Sequence, residues 1–367
     1  MKRILLAGGG HAHVFVLREL ARRRVPDLEV TLLTPYDRQL YSGMLPGWIA
    51  GHYTLDELTI PLQPLASAAG VRLTLDRLVG LDLLERHAIT ERGAAIPFDT
   101  VSLATGSSIA VGAIEGAERF ARLLRPTHEF VAAWTALAPR LAEADRPKIT
   151  VVGAGAGGLE VALAIAHAMK RAGNGALVQV VTGGALLPGH SGRVRALVTD
   201  ALMRAQVRVI DTVATRIASG HVELQDSSPL TTDVTLMACG AAPPPWLHDT
   251  GLAQDENGFL AVDHHLRSVS HEAVFGAGDI ASVVGAPRAR SGVYAVRAGP
   301  PLADNLLRRA QGKALRSYTP QRSALYLLAT GPKHAIASWS GLSWQGDWVW
   351  RWKDRIDRGF IAAFRPQ

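Results

Sequence analysis

The chain opens on a short apolar run, Ile4–Ala7, that stops at three consecutive glycines and passes into a helix-like stretch. The same change of pattern returns about 145 residues later in KITVVGAGAGGLEVALAIA. There a β-branched run, a glycine cluster and an alanine-rich stretch follow one another, which predicts a buried strand, a tight turn and a helix. On hydropathy alone residues 149–169 could pass for a membrane span. Glu160, His167 and the many small residues predict the buried strand, turn and helix instead.

Each unit is followed by a second predicted strand, LEVTLLTP ending at Thr34 and ALVQVVTGG ending at Thr182. Three further apolar runs end at small residues. IPFDTVSLATGSS (96–108) enters Ala104-Thr105-Gly106, TDVTLMACGAAPPPWL (232–247) repeats that shape, and EAVFGAGDIAS (272–282) enters Gly278-Asp279. Towards the end, ALYLLATG predicts a strand and DWVWRWKDRIDRGFIAAF an amphipathic helix. That helix is expected to carry Trp348, Trp352, Ile356, Phe360 and Phe364 on one broad face and Arg351, Asp354, Arg355 and Arg358 on the other.

The two glycine turns have a chemical meaning. In the dinucleotide fingerprint G-x-G-x-x-G, glycines let the backbone turn tightly and approach a pyrophosphate, and the helix start offers free N–H groups. Gly153, Gly155 and Gly158 complete it, with Gly157 beside them; Gly8 and Gly10 fit, but His13 stands in the third place. Two strand–glycine–helix units are far more specific than one. Many such folds hold ribose hydroxyls with an acid at the end of the second strand. Here threonines stand there, and Arg193 and Arg195 are distant candidates for a 2′-phosphate, so NADH and NADPH stay undecided.

Composition narrows the field. Of 367 residues, 48% are apolar and 19% charged, which suits a globular chain of one large or two ordinary domains. The net charge of +7 is scattered through helical segments, with no RNA-binding signature, zinc-finger spacing or lysine-rich tail, so a nucleic-acid partner and a metal site are not expected. Cys239 is the one cysteine and the N-terminus is not signal-like, which points to the cytoplasm, with the cytoplasmic membrane face as the alternative.

With these elements in this order, the chain resembles the pyridine nucleotide-disulfide oxidoreductase superfamily, and most of all the branch of type II NADH dehydrogenases and sulfide:quinone oxidoreductases. The motifs GGGHAHV, LYSGMLPGWIAGHY, GVYAVRAGPPLADNLLR and WVWRWKDRIDRGF resemble a subfamily fused to the N-terminus of selenophosphate synthetases. The resemblance implies an α/β fold of two Rossmann-like domains, an FAD domain interrupted by an NAD(P) domain, with a C-terminal α+β cap. Residues 1–110 and 265–312 would form the FAD domain, 145–264 the NAD(P) domain, 111–144 a connection and 313–367 the cap.

It also implies roles. Gly8, Gly10 and His11 would lie at the FAD pyrophosphate, Thr34, Pro35 and Arg38 near its ribose, and Val79 at the adenine. Ser42 and Met44, in YSGMLP, would lie along the flavin ring, with Ala104, Thr105 and Gly106 close by and Gly278-Asp279 at the ribityl chain. Gly153, Gly155, Gly157, Gly158 and Thr182 would hold NAD(P)H, with Glu160 near the nicotinamide.

No cysteine pair is present, so disulfide chemistry is excluded, and Cys239 reads as packing. Hydride would pass from NAD(P)H to FAD and electrons onward to a quinone or another small acceptor, with Tyr294 and Arg297 on the acceptor side and Pro300-Pro301 interrupting the helix start. The competing readings are a sulfide or selenide donor and an accessory flavoprotein partnering selenophosphate synthetase. The tryptophan-rich terminal helix suits a membrane interface, with packing on the protein's own core or on a homodimer mate as the alternatives.

Overall fold

The computed structural model describes residues 1–365. Its first sheet is built from β1 (Lys2–Ala7), which runs through the glycine turn into α1 (His11–Arg22), and then from β2 (Leu28–Thr34), β3 (Arg72–Leu75) and β4 (Thr100–Leu103). The second takes β5 (Ala121–Leu123), β6 (Lys148–Val152) leading into α2 (Ala156–Ala172), β7 (Leu177–Val181), β8 (Arg208–Ile210) and β9 (Val234–Met237). The chain then returns to the first sheet with β10 (Val274–Gly276), followed by α3 (Gly292–Ala310). It ends in β11 (Tyr326–Ala329), β12 (Ala335–Trp339), β13 (Leu342–Gly346) and α4 (Asp347–Ala362).

Both large sheets are parallel and repeat one topology. The first runs β10-β4-β1-β2-β3 and the second β5-β9-β6-β7-β8. Their central strands are buried on both faces, which is why they read as unbroken apolar runs. Glycine turns at the C-terminal ends of β1 and β6 place the N-termini of α1 and α2 at the sheet edges where parallel α/β sheets bind ligands.

Three features depart from the sequence expectation. Residues 111–144 are more than a connection, since they supply edge strand β5 and a helix, Thr127–Glu143. Pro300 and Pro301 lie inside α3, which continues through them for 19 residues. Helix α4 packs on the core through a side that the pattern did not single out. Val349, Trp350, Lys353, Asp357, Ile361 and Phe364 are buried, while Trp348, Trp352 and Ile356 are exposed. On that side Lys353 and Asp357 satisfy one another as a buried ion pair at 2.5 Å, beside the apolar Val349, Trp350 and Ile361. Among the described residues no helix is long and apolar enough to cross a membrane.

Candidate functional site

The first glycine turn packs so closely on Ala104 and Thr105 that a Cβ at Gly8 or Gly10 would collide with the Ala104 carbonyl. Gly8 also needs φ of +95°, a region that favours glycine. His13 is fully buried and closes the turn from below. Its Nδ1 donates to the Gly8 carbonyl at 2.6 Å, and the Ser102 hydroxyl donates to its Nε2 at 2.9 Å. Burial pushes this imidazole down to about 4, so it is neutral at pH 7. In the second turn Gly158 packs directly on the Gly153 carbonyl. One turn thus meets the first glycine's carbonyl with bare backbone, the other with a histidine N–H.

Helix α1 begins at Gly10 without a side-chain cap, so its first N–H groups face a cleft of about 380 Å³. Along this cleft lie Gly8, Gly10 and His11, then Thr34, Pro35, Arg38 and Val79 towards one end. Ser42, Ala104, Thr105, Gly106, Gly278 and Asp279 line the rest. His11 Nδ1 accepts from the Gln39 amide at 3.3 Å, which leaves the proton on Nε2. That Nε2 is buried without a partner. An orphaned buried N–H at an uncapped helix start, beside glycines a Cβ would obstruct, fits a phosphate-bearing dinucleotide.

Met44 is not on the cleft; it is fully buried. Tyr294 and Arg297 do not face the cleft either. Only Gly292 and Ala295 of α3 reach it, and at 100° per residue positions 294 and 297 point away from them. Tyr294 lines a smaller adjoining cavity of about 50 Å³ with Arg288, Arg290 and Tyr318, which shares Gly278 and Asp279 with the cleft, and Arg297 is exposed.

Several lining residues carried no sequence signal. Arg125 donates to Asp279 at 2.7 Å and to Ser107 at 2.6 Å, so Asp279 is held from the stretch that had read as a connection. The ring of His128 stacks on Tyr36 at 3.7 Å and donates to the Arg38 carbonyl at 2.8 Å. Pro244, Pro245 and Trp246 close the cleft from the second unit.

The second turn opens outward. Gly153, with φ of +116°, backs onto Ala238 and Cys239, whereas nothing lies within 4 Å of a Cβ at Gly155 or Gly157. Gly155 caps α2 without a side chain. Thr182 at the end of the neighbouring strand donates its hydroxyl to Asp211 at 2.7 Å. The Cys239 thiol is pushed up by burial and stands alone, an inert setting.

Glu160, on the first turns of α2, accepts from the Ala329 N–H at 2.8 Å, and burial pushes its carboxyl up to about 7. The Lys353 ammonium opposes that shift, while Asp357 adds to it. Lys353 also donates to the Gly43 carbonyl at 2.5 Å. Burial and the facing Asp357 raise the Tyr41 phenol far above its usual range.

A family model described as pyridine nucleotide-disulphide oxidoreductase matches residues 2–305. The chain is 23% identical over 327 residues to the NADH dehydrogenase-like protein YutJ of Bacillus subtilis, covering 88% of this chain and 87% of that one. Among solved structures it resembles the sulfide:quinone oxidoreductase of Aquifex aeolicus, with TM-score 0.83, 18% identity and 100% and 92% coverage. It also resembles the NDH2 of Plasmodium falciparum in complex with NADH, with TM-score 0.83, 13% identity and 99% and 97% coverage. With two uncapped glycine turns, a phosphate-ready cleft and this match over most of its length, the chain belongs to the pyridine nucleotide-disulphide oxidoreductase family and is an FAD- and NAD(P)H-dependent oxidoreductase.

Proposed function

We propose that this protein is a dehydrogenase that draws hydride from NAD(P)H bound at the second glycine turn and delivers electrons to a quinone or similar small acceptor at a membrane surface. The observation that carries the reading is the pairing of two uncapped helix N-termini: one opens on the cleft with its orphaned His11 N–H, and the other faces outward at Gly155 and Gly157. FAD, when bound, supplies the hydride and electron chemistry.

The protein's own groups bind and orient. Gly8, Gly10 and His11 offer donors to a pyrophosphate, and Asp279, steadied by Arg125, offers an acceptor to polyol hydroxyls. The N-terminus of α3, entering at Gly292, favours negative charge at its end of the cleft. Glu160, with its carboxyl near 7, is suited to hold or give up a proton between the second unit and the terminal helix.

A surface feature supports membrane docking. Trp339, Leu342, Trp344, Trp348, Trp352 and Ile356 are all exposed on β12, β13 and α4, with Arg351 and Arg355 exposed beside them. Aromatic and aliphatic side chains beside arginines suit the interface of an anionic bilayer.

The test is anaerobic mixing of the FAD-loaded protein with NADH or NADPH while following flavin absorbance, then adding a soluble quinone. Bleaching by a nucleotide and recovery with quinone is the expected result. A flavin that neither nucleotide bleaches, but sulfide or selenide does, would replace the donor.

A further inference from the structure

The two units share one strand register at their glycine turns and differ at one position. Ala7 pairs with Leu33 just before Gly8, and Val152 pairs with Val181 just before Gly153, so Thr34 and Thr182 are equivalent. On the next strand Thr34 pairs with Leu75, and Val181 pairs with Ile210, which sets Asp211 level with Thr182. The first unit therefore presents an exposed leucine where the second presents an exposed carboxylate. The nearest acid in the first unit, Asp76, is buried and accepts from the Arg77 N–H at 2.8 Å.

We propose that Asp211, arriving from the third strand of the second unit, takes over the ribose recognition that Thr182 alone cannot perform, and makes the site select NADH against NADPH. The inference rests on the reading that the second turn receives a nicotinamide nucleotide. Thr182 fixes the carboxylate through its 2.7 Å hydrogen bond, and the Gly184 N–H in turn donates to the Thr182 hydroxyl at 3.4 Å. The pair stands at the carboxyl ends of adjacent parallel strands, the edge where the uncapped N-terminus of α2 also lies. A carboxylate there accepts hydrogen bonds from ribose hydroxyls and repels a 2′-phosphate.

The loop that leaves the strand, residues 183–192, supplies no lysine or arginine to offset that repulsion. Arg193 and Arg195 come only at the start of the helix Gly192–Arg204, and Arg195 is engaged with the His190 carbonyl at 3.2 Å.

Calorimetric titration of the FAD-loaded protein with ADP-ribose and with 2′-phospho-ADP-ribose tests this without any turnover. The wild type is expected to bind ADP-ribose about tenfold or more tightly than its phosphorylated form, and Asp211→Ala and Asp211→Asn to bring that ratio towards one. A wild type that binds both alike or prefers the phosphorylated form overturns the role of Asp211 even if the variants fail to fold. Variants that keep the wild-type ratio overturn it as well. If the wild type binds neither ligand, the nucleotide-donor reading falls and this inference falls with it.

Discussion

At the scale of single residues, the site is defined by polar groups held in unusual surroundings. Glu160 is the clearest. Its carboxyl is raised from 4.5 to about 7 because it is buried, despite the nearby Lys353 ammonium. A raised acid adds stability that is whole below its unfolded value and is lost as pH climbs through the folded one. Glu160→Gln keeps an oxygen for the Ala329 N–H and removes the titration. The melting temperature of the wild type, relative to this variant, should therefore fall between pH 4.5 and about 7 and level off above. A flat difference across that window would show that Glu160 is not held protonated. His11 and His13, both pushed down to about 4, titrate in the two proteins alike and cancel in the comparison.

At the scale of elements, the glycine turns were legible in the sequence because Gly8, Gly10, Gly153 and Gly158 each answer a close contact or a backbone angle that a side chain would not satisfy. His13 was visible as a departure, but its meaning was not, since its partner Ser102 lies 89 positions away on β4. Removing the ring leaves the Gly8 carbonyl and the Ser102 hydroxyl buried without partners, beside a new cavity. His13→Ala should cost about 2–4 kcal/mol, seen as earlier thermal unfolding and weaker retention of FAD. An unchanged melting curve would mean the turn holds itself.

The side on which the terminal helix packs was not legible, because it carries Lys353 and Asp357, which pair inside the protein. Its exposed Trp348 and Trp352, stacked at 6.4 Å, are the residues on which the proposed membrane docking is tested. Replacing both by serine should weaken co-sedimentation with anionic vesicles about tenfold or more, without loss of flavin. Unchanged sedimentation would turn attention to a second copy of the chain as the cover for this surface.

At the scale of the whole molecule, the fold class was legible because strand, turn and helix repeat in order, and local pattern carries that information. The cleft was half legible. Residues inside motifs could be placed, whereas Arg125 meets Asp279 across 154 positions, and only tertiary folding brings such a pair together. The same long reach governs the first sheet. Strand β10 completes it beside β4, yet the entire second sheet lies between them in the sequence. On a ribosome the N-terminal half therefore emerges with an unpaired edge at β4. At the usual pace of synthesis it waits roughly ten to thirty seconds for residues 274–276, while the middle of the chain already has every strand it needs. The later-made sheet is the first that can close, and the cleft that begins at residue 8 is among the last parts of the protein to exist.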